Sequence, residues 1–104
     1  MDIDKDVANA TEAAAYLIAA FKDAIDGLGL LARIEHKGST ATLLGECEYG
    51  TCTLRCEHEG GALAFARELA DALAQHMACA LVPDREDETE DGGTQTLIHV
   101  SSAL

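Results

Sequence analysis

The chain has 104 residues and carries nineteen Asp and Glu against seven Lys and Arg, for a formal charge of −12. Such a balance repels nucleic acid and anionic membrane and attracts basic protein surfaces. A single domain, 1–104, is expected at this length, and no apolar run approaches the roughly 20 residues that span a bilayer.

Trp is absent and Phe and Tyr occur twice each, so the core must be aliphatic and rich in Ala. The N-terminal Met-Asp-Ile-Asp-Lys-Asp lacks the basic-then-apolar order of a signal peptide, which predicts a cytoplasmic chain. In that compartment the four Cys are expected to stay thiols unless a metal or redox role holds them.

Residues 1–8 hold Asp2, Asp4 and Asp6 against Lys5, with Glu12 close behind, and read as a flexible acidic N-terminus. Val7, Thr11, Ala14, Ile18, Phe21, Ile25 and Leu28 then recur at four- and three-residue steps, widened by Ala10 and Leu17. This is the apolar stripe of a helix. Asn9 or Thr11 suits its N-cap, and Gly27 or Gly29 its end.

Three period-two segments follow. Ala32, Ile34 and His36 alternate with Arg33, Glu35 and Lys37; Ala41, Leu43, Gly45 and Cys47 with Thr42, Leu44, Glu46 and Glu48; Cys52, Leu54, Cys56 and His58 with Thr51, Thr53, Arg55 and Glu57. Each reads as an antiparallel strand with one buried face. Gly38-Ser39 and Tyr49-Gly50 suit two-residue hairpin loops. Counting outward from them aligns Ile34–Leu43–Cys56 in one row and Ala32–Gly45–Leu54 in the next, so inward residues meet inward residues.

Past Gly60-Gly61, residues 62–82 read as a second helix with Phe65, Leu69, Leu73, His76, Met77 and Ala80 on one side, stopped by Pro83. Residues 84–93 read as an acidic loop, with six acids against Arg85. Residues 94–100 make a last strand, or one offered to a partner. The expected fold is α+β, α-β-β-β-α-β, an antiparallel three- to four-stranded sheet with two helices packed on one face.

Over residues 10–82 this order is similar in topology to that of double-stranded-RNA-binding domains. Those domains need cations at the start of the second helix to reach phosphates. Here that helix opens Gly-Gly-Ala-Leu-Ala-Phe-Ala with Arg67 as its one cation, which excludes direct nucleic-acid binding.

Cys47, Cys52 and Cys56 match neither a zinc knuckle nor an iron–sulfur spacing. In the expected register Cys47 lies opposite Cys52 with Cα atoms about 4.5 Å apart, near the short limit for a disulfide. Core packing is the leading reading of these three, a redox pair or a metal site the others. His36 and His58 flank Ala41 in one row, about 10 Å apart across two strand spacings, and are weak ligand candidates beside those cysteines. His76 and Cys79 stand three apart on the second helix, without an oxyanion hole or an orienting acid.

No catalytic constellation or cofactor motif is visible. The expected function is a small non-enzymatic binding protein that occludes a basic surface of a protein partner, in the manner of a nucleic-acid mimic or phage-type inhibitor. The acids assigned to the contact are Asp84, Glu86, Asp87, Glu88, Glu90 and Asp91, seconded by Glu46, Glu48, Glu57 and Glu59. The alternatives are a thiol or metal protein using the cysteine cluster, and an assembly subunit pairing through residues 94–100. The outer sheet face, with Leu44 as its large apolar residue, also suits a polar homodimer contact.

Overall fold

The computed structural model describes residues 2–27, 29–47, 50–75, 77–88 and 94–102, with side chains throughout these except at 24, 27, 47, 77–88 and 102. It is an α+β fold in which two helices pack against a mixed sheet. The elements run β1 (Asp2–Asp6), α1 (Ala10–Gly27), β2 (Leu30–Lys37), β3 (Thr40–Cys47), β4 (Gly50–Glu57), α2 (Ala62–Leu73), β5 (Met77–Glu88) and β6 (Thr94–Ser102). The six strands lie in the order β1-β4-β3-β2-β6-β5, with β1 parallel to β4 and every other pair antiparallel. The sheet is therefore wider than the three or four antiparallel strands expected, by one strand at each edge.

The first added strand is β1, where a flexible acidic terminus was expected. Asp2-Ile3-Asp4-Lys5-Asp6 has too little apolar content to announce a strand, and its order comes from its partners. Ile3 packs against the core. The Lys5 ammonium sits 4.5 Å from the centre of the Tyr16 ring, a cation–π contact. Val7 N–H donates to the Arg55 carbonyl at 2.8 Å and leads the chain toward α1.

The second added strand is β5. The helix expected over 62–82 ends at Leu73, after burying Ala62, Phe65, Ala66, Leu69 and Leu73 at helical spacing. Ala74 and Gln75 are exposed. Met77–Val82 is a continuous apolar run, which helix and strand both accept, and pairing along β6 decides for the strand. Pro83 falls within the register shift between Val82 and Asp87, where its missing N–H costs no ladder bond.

Asp84–Glu88 therefore belong to β5, and only residues 89–93 of the expected acidic loop remain, outside the described residues. β6, read as a strand that could be offered to a partner, is bonded on both sides by β2 and β5 and has no free edge.

α1 is capped by Asn9, whose Oδ1 accepts from the Glu12 N–H at 2.9 Å while the Glu12 carboxylate reaches back to the Ala8 N–H. This is a variant of the reciprocal capping arrangement. The buried stripe of α1 is Ala10, Ala13, Ala14, Leu17, Phe21 and Ile25. Thr11, assigned to that stripe, is exposed, and Leu28 is outside the described residues.

The β2–β3 hairpin has the expected register: Lys37 pairs with Thr40, Ile34 with Leu43 and Ala32 with Gly45. Gly38 supplies φ +64 at the turn. The β3–β4 register is displaced by two residues. Cys47 pairs with Gly50, Gly45 with Cys52, and Leu43 with Leu54. A slip of two preserves which face each side chain takes, so the inward set is unchanged while every row has a different member.

Candidate functional site

One face of the sheet carries Ala32, Ile34, Leu43, Leu54, Ile98 and Val100, buried in a single cluster with the apolar sides of both helices. Among the described residues nothing covers the other face. The acidic segments of the sequence mark the two edges of this sheet. Asp2, Asp4 and Asp6 lie on edge strand β1, and Asp84, Glu86, Asp87 and Glu88 belong to edge strand β5. Charged edges discourage edge-to-edge pairing with other chains, so these acids have a structural use whatever they bind. Glu90, Asp91 and Glu48 lie outside the described residues, while Glu46, Glu57 and Glu59 are exposed.

The β1 carboxylates are held in place. Asp4 and Asp6 both pair with Arg55 of β4, Asp6 at 3.2 Å. The Thr51 hydroxyl donates to Asp2 at 3.1 Å. The Asp4 hydrogen bond and charge, followed by those of Asp6, raise the Arg55 pKa above its ordinary value. Nothing in the strand pattern of residues 2–6 announced this clamp, because Arg55 lies forty-nine residues beyond Asp6.

Near the middle of the open face is a shallow hollow of about 490 Å³ bordered by Leu31, Arg33, Leu44, Thr53 and Leu97. Arg33 is paired laterally with Leu44 on β3 and Leu97 on β6. Leu31 is 52% exposed, the one exposed large hydrophobic residue among those described. Of its large apolar residues only Leu44 was expected on this face, together with Arg33 and Thr53. Starting β2 at Leu30 instead of Ala32 would have added Leu31, which shares its parity with Arg33.

The cysteines divide. Cys52 and Cys56 are buried in the core, 2% and 3% exposed. Burial foremost, then the charges of Glu57, Glu68 and Glu12, pushes the Cys56 thiol's pKa up, and that disfavours the reactive thiolate. The expected apposition of Cys47 and Cys52 is replaced by the pairs Cys47–Gly50 and Gly45–Cys52. The Cys47 side chain is outside the description.

The histidines also have other partners than expected. His36 shares its row with Ala41 and Cys56, because the two-residue displacement sets Cys56 opposite Ala41 and leaves His58 just past the end of β4. His36 Nε2 donates to the His58 carbonyl at 2.7 Å. His58 Nδ1 accepts from Gly60 N–H at 3.1 Å, so its Nε2 carries the proton that is shared with the Glu68 carboxylate. The His58 ring also meets Phe65 edge-on, with centroids 5.4 Å apart. These contacts tie β2, β4 and α2 together at one end of the sheet.

Among the described residues no group of three or more His, Cys, Asp or Glu is placed to hold a metal ion. His76 is outside those residues, and Cys79 lies on β5 where a second-helix position was expected. No described helix is long and apolar enough to cross a membrane. No family model, curated protein or solved structure matches the chain significantly.

Proposed function

We propose that this chain is a non-enzymatic binding protein that covers a basic surface of a protein partner, standing in for the nucleic acid such a surface would hold. The carrying observation is the placement of the acids. Two segments far apart in sequence, around Asp2–Asp6 and Asp84–Glu88, lie on the two free edges of one sheet. On β1 the alternate carboxylates repeat at about 6.6–6.8 Å, and Arg55 and Thr51 hold them in fixed positions. Charges already ordered lose less entropy on binding than charges on a coil. With a net charge of −12, association with a cationic patch is steered and strongly salt-dependent.

The test is displacement of fluorescent duplex DNA from a panel of basic nucleic-acid-binding proteins. The expected result is stoichiometric displacement from at least one of them, weakening steeply as salt is raised. Failure to displace DNA from any member at low salt, or an affinity that stays flat with salt, refutes the reading.

A further inference from the structure

Besides the open sheet face, the described residues hold an interhelical groove and the His36–His58–Glu68 cluster. The groove, about 440 Å³ between α1 and α2, is lined mostly by small side chains. The histidines are engaged in holding β2, β4 and α2 together. Only the sheet face combines an apolar centre with a charged surround.

We propose that the face opposite the helices is the contact surface, and that its occupant presents an aromatic side chain ringed by Lys and Arg. This rests on the reading of the chain as an acidic binding protein and specifies where that binding occurs. Leu31, Leu44 and Leu97 form a hollow about Arg33, whose own partner, Glu35, is 4.0 Å away. A guanidinium between aliphatic side chains is a platform for an aromatic ring, through stacking and cation–π attraction. Glu46 lines the hollow and Glu35 stands beside Arg33, and both edge strands beyond them are acidic. Charge complementarity therefore asks for cations at the partner's rim and an apolar group at its centre.

The size also suits. Five strand spacings of about 4.8 Å by eight residues of about 3.3 Å give roughly 600 Å² of flat projection. Side-chain relief brings this near the ~800 Å² per partner of a standard interface. A second copy of this chain would set like-charged rims against each other, which disfavours it.

The chain contains no Trp, so the emission of a tryptophan in a probe reports on the probe alone. The probes are Lys-Lys-Trp-Lys-Lys and, for charge alone, Lys-Lys-Ala-Lys-Lys. The Trp peptide should bind about fivefold more tightly, with blue-shifted emission and methyl chemical-shift changes at Leu31, Leu44 and Leu97. Leu31→Gln, which leaves the charge unchanged, should weaken the Trp peptide about fivefold, as expected for the apolar area lost. It should leave the Ala peptide unaffected. Leu44→Gln repeats the test from the neighbouring strand, and Ala15→Gln on α1 is the control.

Equal, salt-sensitive affinity for both peptides would overturn this surface while leaving the acidic-binding reading standing. Absence of binding by either peptide at low salt would count against both. Shifts confined to the interhelical groove would also overturn the surface. So would a wild-type dimer that Leu31→Gln dissociates in sedimentation, since the occupant would then be a second copy.

Discussion

Substituting Gly45 with Ala tests the pairing that the β3–β4 hairpin adopts. Gly45 faces Cys52 directly, and a Cβ at position 45 would stand 2.8 Å from Cys52 Sγ and 3.4 Å from Leu30 Cδ2. The first distance is well inside contact. Cys52 is 2% exposed within a close-packed core, so its sulfur has little room to retreat. Overpacking of this kind costs about 1–3 kcal/mol. Gly45 is not among the positive-φ glycines, so Ala also gains about 0.4–1 kcal/mol by restricting the unfolded chain. The net loss is then about 1–2 kcal/mol, a substantial part of the ~5–15 kcal/mol typical of a domain. With a urea dependence of about 2 kcal/mol/M, the middle of the usual range, the midpoint falls by about 0.5–1 M at constant slope. The decisive chain is the double variant. Cys52→Ala removes the sulfur that the new methyl strikes, so Gly45→Ala should cost about 1 kcal/mol less in its presence than alone. Additive losses would refute the observed register and favour the one in which Gly45 faces Leu54.

Asn9→Ala should cost about 1 kcal/mol by removing the cap on α1, measured by urea unfolding. Arg55→Ala should speed hydrogen exchange in β1 while leaving the core amides of β2 and β3 unchanged, because the Asp4 and Asp6 pairs it breaks are at the exposed edge. The Cys56 thiol has a raised pKa in the folded state, chiefly through burial. The unfolded chain therefore releases that proton first, so the contribution is complete below the unfolded thiol's range, about 8.5, and is lost as pH rises beyond it. Unfolding midpoints should fall on the alkaline side, and Cys56→Ala should flatten that fall.

Where local pattern and tertiary packing agree, single residues sufficed to place an element. Lys37-Gly38-Ser39-Thr40 specifies a two-residue turn, and the flanking alternation leaves one register with Ile34 against Leu43. The second hairpin shows the limit. Two registers differing by two residues bury the same faces, and alternation cannot tell them apart. The open Cα of Gly45 can seat the Cys52 sulfur, a fit that belongs to the assembled sheet. That displacement removed the expected Cys47–Cys52 apposition and moved His58 out of the Ala41 row.

The candidate site was legible as charge and largely illegible as shape. Glu46, Glu57 and Glu59 were expected at the surface and are exposed. The membership of Asp84, Glu86, Asp87 and Glu88 in a strand, and the joining of Leu31 and Leu97 about Arg33, depend on pairings with β6 that no local window contains.

The sequence by itself determined the α+β class, the capped amphipathic first helix, the inward and outward faces of the central strands, and the acidity that governs what the chain can approach. These follow from period and composition, which act within a few residues. Only the tertiary structure decided that Asp2–Asp6 is a strand and that the second helix stops at Leu73 so Met77–Val82 can pair with β6. It also decided that two distant acidic segments become opposite edges of one sheet. Sheet hydrogen bonds join residues far apart in the chain, and a short segment such as Asp-Ile-Asp-Lys-Asp takes its conformation from the neighbour that supplies them.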